Sequence, residues 1–311
     1  MTISRAVRGT LTGVAAALIA VFPATLTPAA AAPAISILPQ APADGDFSLT
    51  RAPNARDIGG VAAFAGTIKN GLVYRTDALD KLTDADQQKL ITYGVTKIID
   101  FRSPTERAAN PNKVPASIPT QLLPVYDPNN DFYTFIGGII TGGHDKQQDM
   151  LGNGKAAQIM KDYYKLFVTD ATMRDQFGTA LREIASASGP VLYHCTAGKD
   201  RTGWMTAILM NILGTDQFTI FDNFLESNDR LAASNKATLD ALEKQGLIKD
   251  RSLFEPLLGV QREFLQASFG QAAMSYGSME RFISDGLGID RATIDTLRDK
   301  LIQRPGLPGT N

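Results

Sequence analysis

The stretch Pro190-Val191-Leu192-Tyr193-His194-Cys195-Thr196-Ala197-Gly198-Lys199-Asp200-Arg201-Thr202-Gly203, running on through Trp204 to Leu213 and Gly214, decides the fold. Val191-Leu192-Tyr193 behind a proline reads as a buried strand, because a run so apolar offers no face to water. Thr202 to Leu213 is apolar at helical spacing, and Gly214 supplies a helix stop. A short loop containing Gly198 joins the two. In such a unit the loop's backbone N–H groups turn inward and the following helix adds partial positive charge at its N-terminus. The result is an anion site sized for a phosphoryl group.

Similar units lie upstream. Leu72-Val73-Tyr74, Val95 to Phe101 and Gln121 to Val125 are further strand candidates, and Thr83 caps a helix that Gly94 ends. Helical patterns cover 156–167 and 172–187, and from Asp216 onward the chain reads as nearly all helix. Strands alternating with helices imply an α/β protein with a central, mostly parallel sheet flanked by helices on both faces.

The chemistry of the loop follows from residue types and spacing. Cys195 is the only cysteine, so it has no disulfide partner within the chain. A thiol in the field of inward N–H groups is favoured as its thiolate, the form that attacks phosphorus. Arg201, six residues on, curls back over the same ligand, and its planar fork suits two phosphoryl oxygens. Thr196, Ala197, Gly198 and Lys199 contribute the cradle, and the Thr202 hydroxyl is placed to donate to the sulfur or to cap the helix. His194 shapes the loop through its ring rather than acting as base. A leaving oxygen needs a proton donor, and Asp200, five residues from Cys195, is one candidate. An inert phospho-ligand binding module with the same loop is the alternative.

The N-terminus reads as an export signal over 1–34: Arg5 and Arg8, an apolar stretch from Thr10 to Phe22, then the small-residue run Ala29 to Ala34. Cleavage between Ala31 and Ala34 would send the mature protein to the periplasm or the exterior, with no membrane span left. The formal charge would move from −1 to −3 as two arginines leave. Residues 35–47 form a flexible lead-in, and 48–303 a single domain. No Lys/Arg run marks a nucleic-acid surface. No grouping of His, Asp and Glu has metal-site spacing, and His144, in the glycine-rich stretch 137–154, reads as a loop residue.

Cys-x5-Arg bounded by His194 and by Thr202-Gly203 resembles the signature of protein-tyrosine phosphatases. The version around Gly198-Lys199-Asp200 is similar to the PtpB-like secreted bacterial tyrosine/serine phosphatase family. Asn54-Ala55-Arg56-Asp57-Ile58-Gly59-Gly60, Tyr74-Arg75-Thr76-Asp77, Asp100-Phe101-Arg102-Ser103 and Leu122-Leu123-Pro124 match its boxes in order. So do Glu226-Ser227-Asn228-Asp229, Gly259-Val260 and Tyr276-Gly277-Ser278. The resemblance implies a tyrosine/dual-specificity phosphatase fold with a helical lid, drawn here from about 216–250. It implies a phosphorylated protein or phosphoinositide as substrate, and no cofactor or metal. It further implies Asp127 as a mobile-loop proton donor and Lys199 as a contact for extra phosphates. Arg56 and Asp57 would buttress the loop by ion pairing, and Arg102 and Glu106 would form structural pairs.

Overall fold

The computed structural model describes residues 47–305. The expected export signal over 1–34 and all of the expected lead-in before Phe47 lie outside the described residues. Eight strands are present: β1 (Arg56–Asp57), β2 (Ala62–Ala63), β3 (Gly66–Ile68), β4 (Val73–Thr76), β5 (Lys97–Asp100), β6 (Thr120–Leu122), β7 (Val191–His194) and β8 (Ile302–Gln303). The main sheet has the order β1-β4-β7-β5-β6, with β4, β7, β5 and β6 parallel and the edge strand β1 antiparallel. The strand that leads into the glycine loop is thus the central one, and every residue of it is buried. The remaining strands form a small antiparallel sheet, β2-β3-β8.

Alternation along the strands divides the core. Tyr74, Leu192 and Ile98 align across β4, β7 and β5 and face a smaller cluster with Phe47, Leu79, Leu82 and Leu90. Val73, Val191, Tyr193 and Ile99 face the opposite, larger core. One face is therefore covered by a single helix, α1 (Asp84–Thr92), and the N-terminal segment. The other is covered by α5 (Lys155–Thr169), α6 (Ala171–Ser186), α7 (Arg201–Leu213), α10 (Arg262–Tyr276) and α12 (Arg291–Leu301). Helix α1 starts as the sequence predicts: the Thr83 side chain accepts from the Asp86 N–H and the Asp86 carboxylate accepts from the Thr83 N–H. Helix α7 is buried almost all round, so its apolar length is explained by enclosure rather than by a membrane. No helix among the described residues is long and apolar enough to cross a bilayer.

A second layer sits over the carboxyl edge of the sheet. Helices α3 (Phe132–Ile140), α4 (His144–Leu151) and the far end of the 28-residue α8 (Gln217–Lys244) pack around Ile136, Ile139, Leu151, Leu242 and Phe254. Short helices α9 (Glu255–Leu258) and α11 (Met279–Arg281) complete the chain, with α2 (Pro104–Ala109) following β5. The stretch 137–154 corrects the loop expectation: Gly137 and Gly138 lie inside α3, and His144 is the first residue of α4. Asp131 caps α3, and burial of Ile136, Ile139 and Ile140 outweighs the weak helix propensity of the two glycines.

Candidate active site

Cys195 lies at the carboxyl end of β7, where the parallel strands converge, and is only 1% exposed. The loop after it is held from outside, one carbonyl at a time. The Cys195 carbonyl accepts from His194 Nδ1 at 2.9 Å, and that of Thr196 from the Ala78 N–H at 2.9 Å. The Ala197 carbonyl accepts from Asn54 Nδ2 at 2.9 Å, and that of Gly198 from Arg75 Nη2 at 2.7 Å. A trans peptide points its N–H opposite to its C=O. Four outward carbonyls therefore turn the N–H groups of Thr196, Ala197, Gly198 and Lys199 into the loop, and the chain contains no cis peptide among the described residues. Gly198 has φ +65°, and a Cβ there would stand 2.4 Å from the Thr76 carbonyl, so only glycine permits this close approach.

His194 is fully buried and held well below its ordinary range, at about 4, mainly because burial disfavours its cation. The ring is therefore neutral, with Nδ1 donating to the Cys195 carbonyl and Nε2 accepting from Asn112 Nδ2 at 3.2 Å. That amide also reaches Asp100, whose carboxylate pairs with Arg102 at 2.9 Å. His194 thus ties the Cys195 carbonyl to the Asn112, Asp100 and Arg102 network.

Arg201 is gripped end-on by Glu106: Nη1 donates to Oε2 at 2.7 Å and Nη2 to Oε1 at 2.6 Å, and Nη1 also reaches the Phe101 carbonyl at 3.2 Å. Five N–H donors less these three leave the Nε–H and one Nη2–H, which lie along one edge of the planar group. Arg201 Nε has no partner within the protein, and neither has the buried Thr202 hydroxyl. Glu106 also accepts from the Thr196 hydroxyl and from the Ser103 N–H, so one carboxylate fixes both the arginine and the first turn of the loop. Despite its burial it is held below its usual range, its charge favoured first by Arg201. Arg102 forms the expected structural pair with Asp100, but Glu106 is part of the site. Its signal in the sequence was the Ser103-x-x-Glu106 capping box directly after a strand, which sets the carboxylate at a helix N-terminus facing the sheet edge.

The cavity over the loop has a volume of about 380 Å³. Thr196, Ala197, Lys199, Asp200 and Arg201 form its floor, and Phe132, Tyr133, Ile136, Leu231 and Leu257 part of its walls. Helix α8 contributes one side of it through residues between Arg230 and Thr238, which is the lid position expected for 216–250. The two acid candidates separate here. Asp200 is on the floor, accepting from the Tyr164 hydroxyl at 2.9 Å and pairing with Lys199 at 2.9 Å. Asp127 is not among the lining residues; its carboxylate accepts from the Asn129 N–H at 2.8 Å and closes a local turn. Lys199 is buried, its ammonium shared between Asp200 and the Gly259 carbonyl at 3.0 Å.

Arg56 and Asp57 do not pair with each other, because neighbours on a strand point to opposite faces. Asp57 accepts from the Gly59 and Gly71 N–H groups and ties the exit of β1 to the approach to β4. Arg56 reaches the loop indirectly: it donates to the Asn54 side chain at 2.5 Å, and Asn54 holds the Ala197 carbonyl. Its ion pair is with Glu226 at 3.3 Å. Asn54, Arg75 and Ala78, unremarked singly in the sequence, and Glu106, expected there only as a structural pair, thus set the loop's geometry.

A further carboxyl, Asp77, lines the cavity and is pushed up to about 7, chiefly by desolvation. Between its ordinary 3.8 and 7 the folded chain keeps a proton that the unfolded chain has released, so this group makes stability fall as pH rises through that window. His194 has the opposite sign. Its folded form sheds a proton that the unfolded chain retains between about 4 and 6.5, so it makes stability rise. The two oppose each other in the wild type. Asp77→Asn should therefore stabilise the protein by on the order of 2 kcal/mol at pH 7.5, a value discounted for the half-buried side chain. The gain should shrink toward zero near pH 4. Equal gains at both pH values in chemical denaturation would refute the assignment.

A mostly parallel sheet ending in a cysteine loop, with the N–H groups of Thr196 to Lys199 facing inward and a clamped arginine above, defines an α/β domain with the geometry of an anion site. The chain belongs to the tyrosine phosphatase family, whose model matches residues 47–303, and so to the phosphoric monoester hydrolases. It is 30% identical over 269 residues to a Cupriavidus necator protein whose name places it among tyrosine-protein phosphatases, covering 83% of this chain and 92% of that one. It is also 30% identical over 275 residues to the triple specificity protein phosphatase PtpB of Mycobacterium tuberculosis, covering 80% of this chain and 98% of the relative. The crystal structure of P. aeruginosa TpbA covers 58% of this chain and 87% of its own at 17% identity and a TM-score of 0.30, too loose a superposition to bear on the fold.

Proposed function

We propose that the protein hydrolyses phosphotyrosyl side chains through a phosphocysteine intermediate. The observation that carries this reading is the inward-facing loop at the floor of a cavity with aromatic and aliphatic walls, which suits a phosphorylated aromatic ring. Cys195 Sγ attacks phosphorus, the S–P bond forms and the P–O bond to the tyrosine breaks. The four loop N–H groups and the free edge of Arg201 meet the equatorial oxygens, where charge is spread during transfer. In its protonated form Asp200, on the cavity floor, gives that proton to the departing oxygen. It then takes one from the water that attacks phosphorus and releases the thiolate of Cys195.

A broader substrate range has one specific support: the relative from M. tuberculosis is named a triple specificity phosphatase. Against ready use of phosphoinositides stands the placement of Lys199, whose ammonium is already committed to Asp200 and the Gly259 carbonyl. A panel of phosphotyrosyl peptide, phosphoseryl peptide and phosphoinositide vesicles measures this. We expect kcat/KM for the phosphotyrosyl peptide to exceed the others by about tenfold or more, since a buried ring adds apolar contact that serine lacks. In the same panel Asp200→Asn should slow the phosphoseryl peptide, with its poorer leaving group, more than an aryl phosphate. A flat panel would remove the preference, and Asp200→Asn without effect would remove the proton donor.

A further inference from the structure

The Gly198 carbonyl is held by a side chain outside the Cys-x5-Arg motif. Arg75 is 0% exposed and donates to two uncharged acceptors, Gly198 O at 2.7 Å and Asn223 Oδ1 at 2.9 Å; its Nε has no partner. Directly opposite it in the β1/β4 register stands a second buried arginine, Arg56. The acid facing this pair is Glu226 on α8, which is 38% exposed, sits 3.3 Å from Arg56 and also binds Arg230 at 2.6 Å. Tyr193, Tyr164 and Cys195 itself also act on Arg75. Gly203 keeps this space open, since a Cβ there would meet the Phe224 ring at 2.9 Å and Arg75 Nη2 at 3.7 Å. Positive charge thus exceeds negative charge directly beneath the loop. Burying a cation without a full counter-ion costs stability, and an anion seated in the loop above would complete the balance.

We propose that Arg75 is a positioning residue of the phosphate loop. From beneath, it turns the Gly198–Lys199 peptide so that the Lys199 N–H faces the bound phosphoryl group, and it supplies a fixed positive charge that the bound anion answers. This rests on the phosphatase reading of the loop. The expected signature sets stability against function. Arg75→Met should melt within a few degrees of the wild type or higher, because it removes an under-compensated buried charge. The same variant should bind inorganic phosphate about tenfold or more weakly, lose about 10²-fold in kcat/KM on an aryl phosphate, and alkylate at Cys195 with the anionic reagent iodoacetate about tenfold more slowly. Arg75→Lys, which keeps the charge but cannot hold both acceptors, should fall between the two.

The test is phosphate-dependent melting, phosphate inhibition and iodoacetate labelling of the full chain and these variants. A folded Arg75→Met with phosphate affinity and labelling rate within twofold of the wild type overturns the proposal, whatever its melting temperature. If Arg75→Met does not fold, Asn223→Ala decides: it removes the second anchor of Arg75 from a half-buried position. It should weaken phosphate binding by about threefold to tenfold, in line with one lost hydrogen bond; unchanged binding would overturn the proposal. A wild-type protein that neither binds phosphate nor turns over an aryl phosphate removes the phosphatase reading itself, an outcome separate from these.

Discussion

Cys195→Ser should leave a folded protein that has lost hydrolysis of an aryl phosphate by about 10⁴-fold or more. The swap exchanges one buried atom and disturbs none of the ties that shape the loop, which run to backbone carbonyls from His194, Ala78, Asn54 and Arg75. What it removes is the sulfur nucleophile, since a serine hydroxyl gives up its proton far less readily than a thiol. Phosphate should therefore still raise the melting temperature of the variant, while the burst of phenol and the trapped phosphocysteine expected of the wild type should be absent. This combination also separates the enzyme from an inert phospho-ligand module, for which wild type and variant would bind alike and neither would turn over. Residual activity above about 1% of wild type would rule out the phosphocysteine route.

The fold was legible where one residue pattern sufficed to specify an element. Val191 to His194 is buried by position as well as composition, and Thr83 with Asp86 and Gly94 marks both ends of α1. The predicted strand at Leu72 slides to Val73–Thr76, because its last two residues, Arg75 and Thr76, are polar yet buried against the loop. Helices α3 and α4 were hidden by the glycines inside the first and at both ends of the second, since the apolar partners that stabilise them come from the ends of α5 and α8 and from Phe254, far along the chain. The site divides in the same way. The residues that touch a phosphate lie within ten consecutive positions and can be read from spacing. Those that aim them come from in or beside β1, β4 and α2, and each reads singly as an ordinary residue. The outlying boxes do carry that information: Asn54 and Arg56 join the loop to Ser227 on α8 at 3.2 Å, and Asn228 fixes Val260 at 2.8 Å beside the Gly259 carbonyl that holds Lys199. They are scaffolding for one loop, written across the whole chain.

Arg201→Lys and Glu106→Gln should then fail in different ways, and together they test whether the pair acts as a unit. A lysine is a point charge: it can meet Glu106 or the phosphoryl oxygens, but it cannot hold Glu106 with one edge and offer a second edge to the ligand. We expect Arg201→Lys to lower kcat/KM by about 10² to 10³-fold, mostly in kcat, because the missing contacts strengthen as charge spreads in transfer. Glu106→Gln leaves the arginine chemically intact but faces it with an amide whose NH₂ opposes one of its own donors. The buried cation loses its counter-ion, and the Thr196 hydroxyl and Ser103 N–H lose part of their acceptor. Stability should drop by about 3 kcal/mol, the scale of breaking one side of a buried pair. Turnover should fall by about tenfold or more as Arg201 loses its fixed edge. Because both variants disable the same clamp, the double variant should be much less impaired than the product of the two single losses. Multiplicative losses in kcat would show that Glu106 serves only the fold, and that the arginine finds its working position without it.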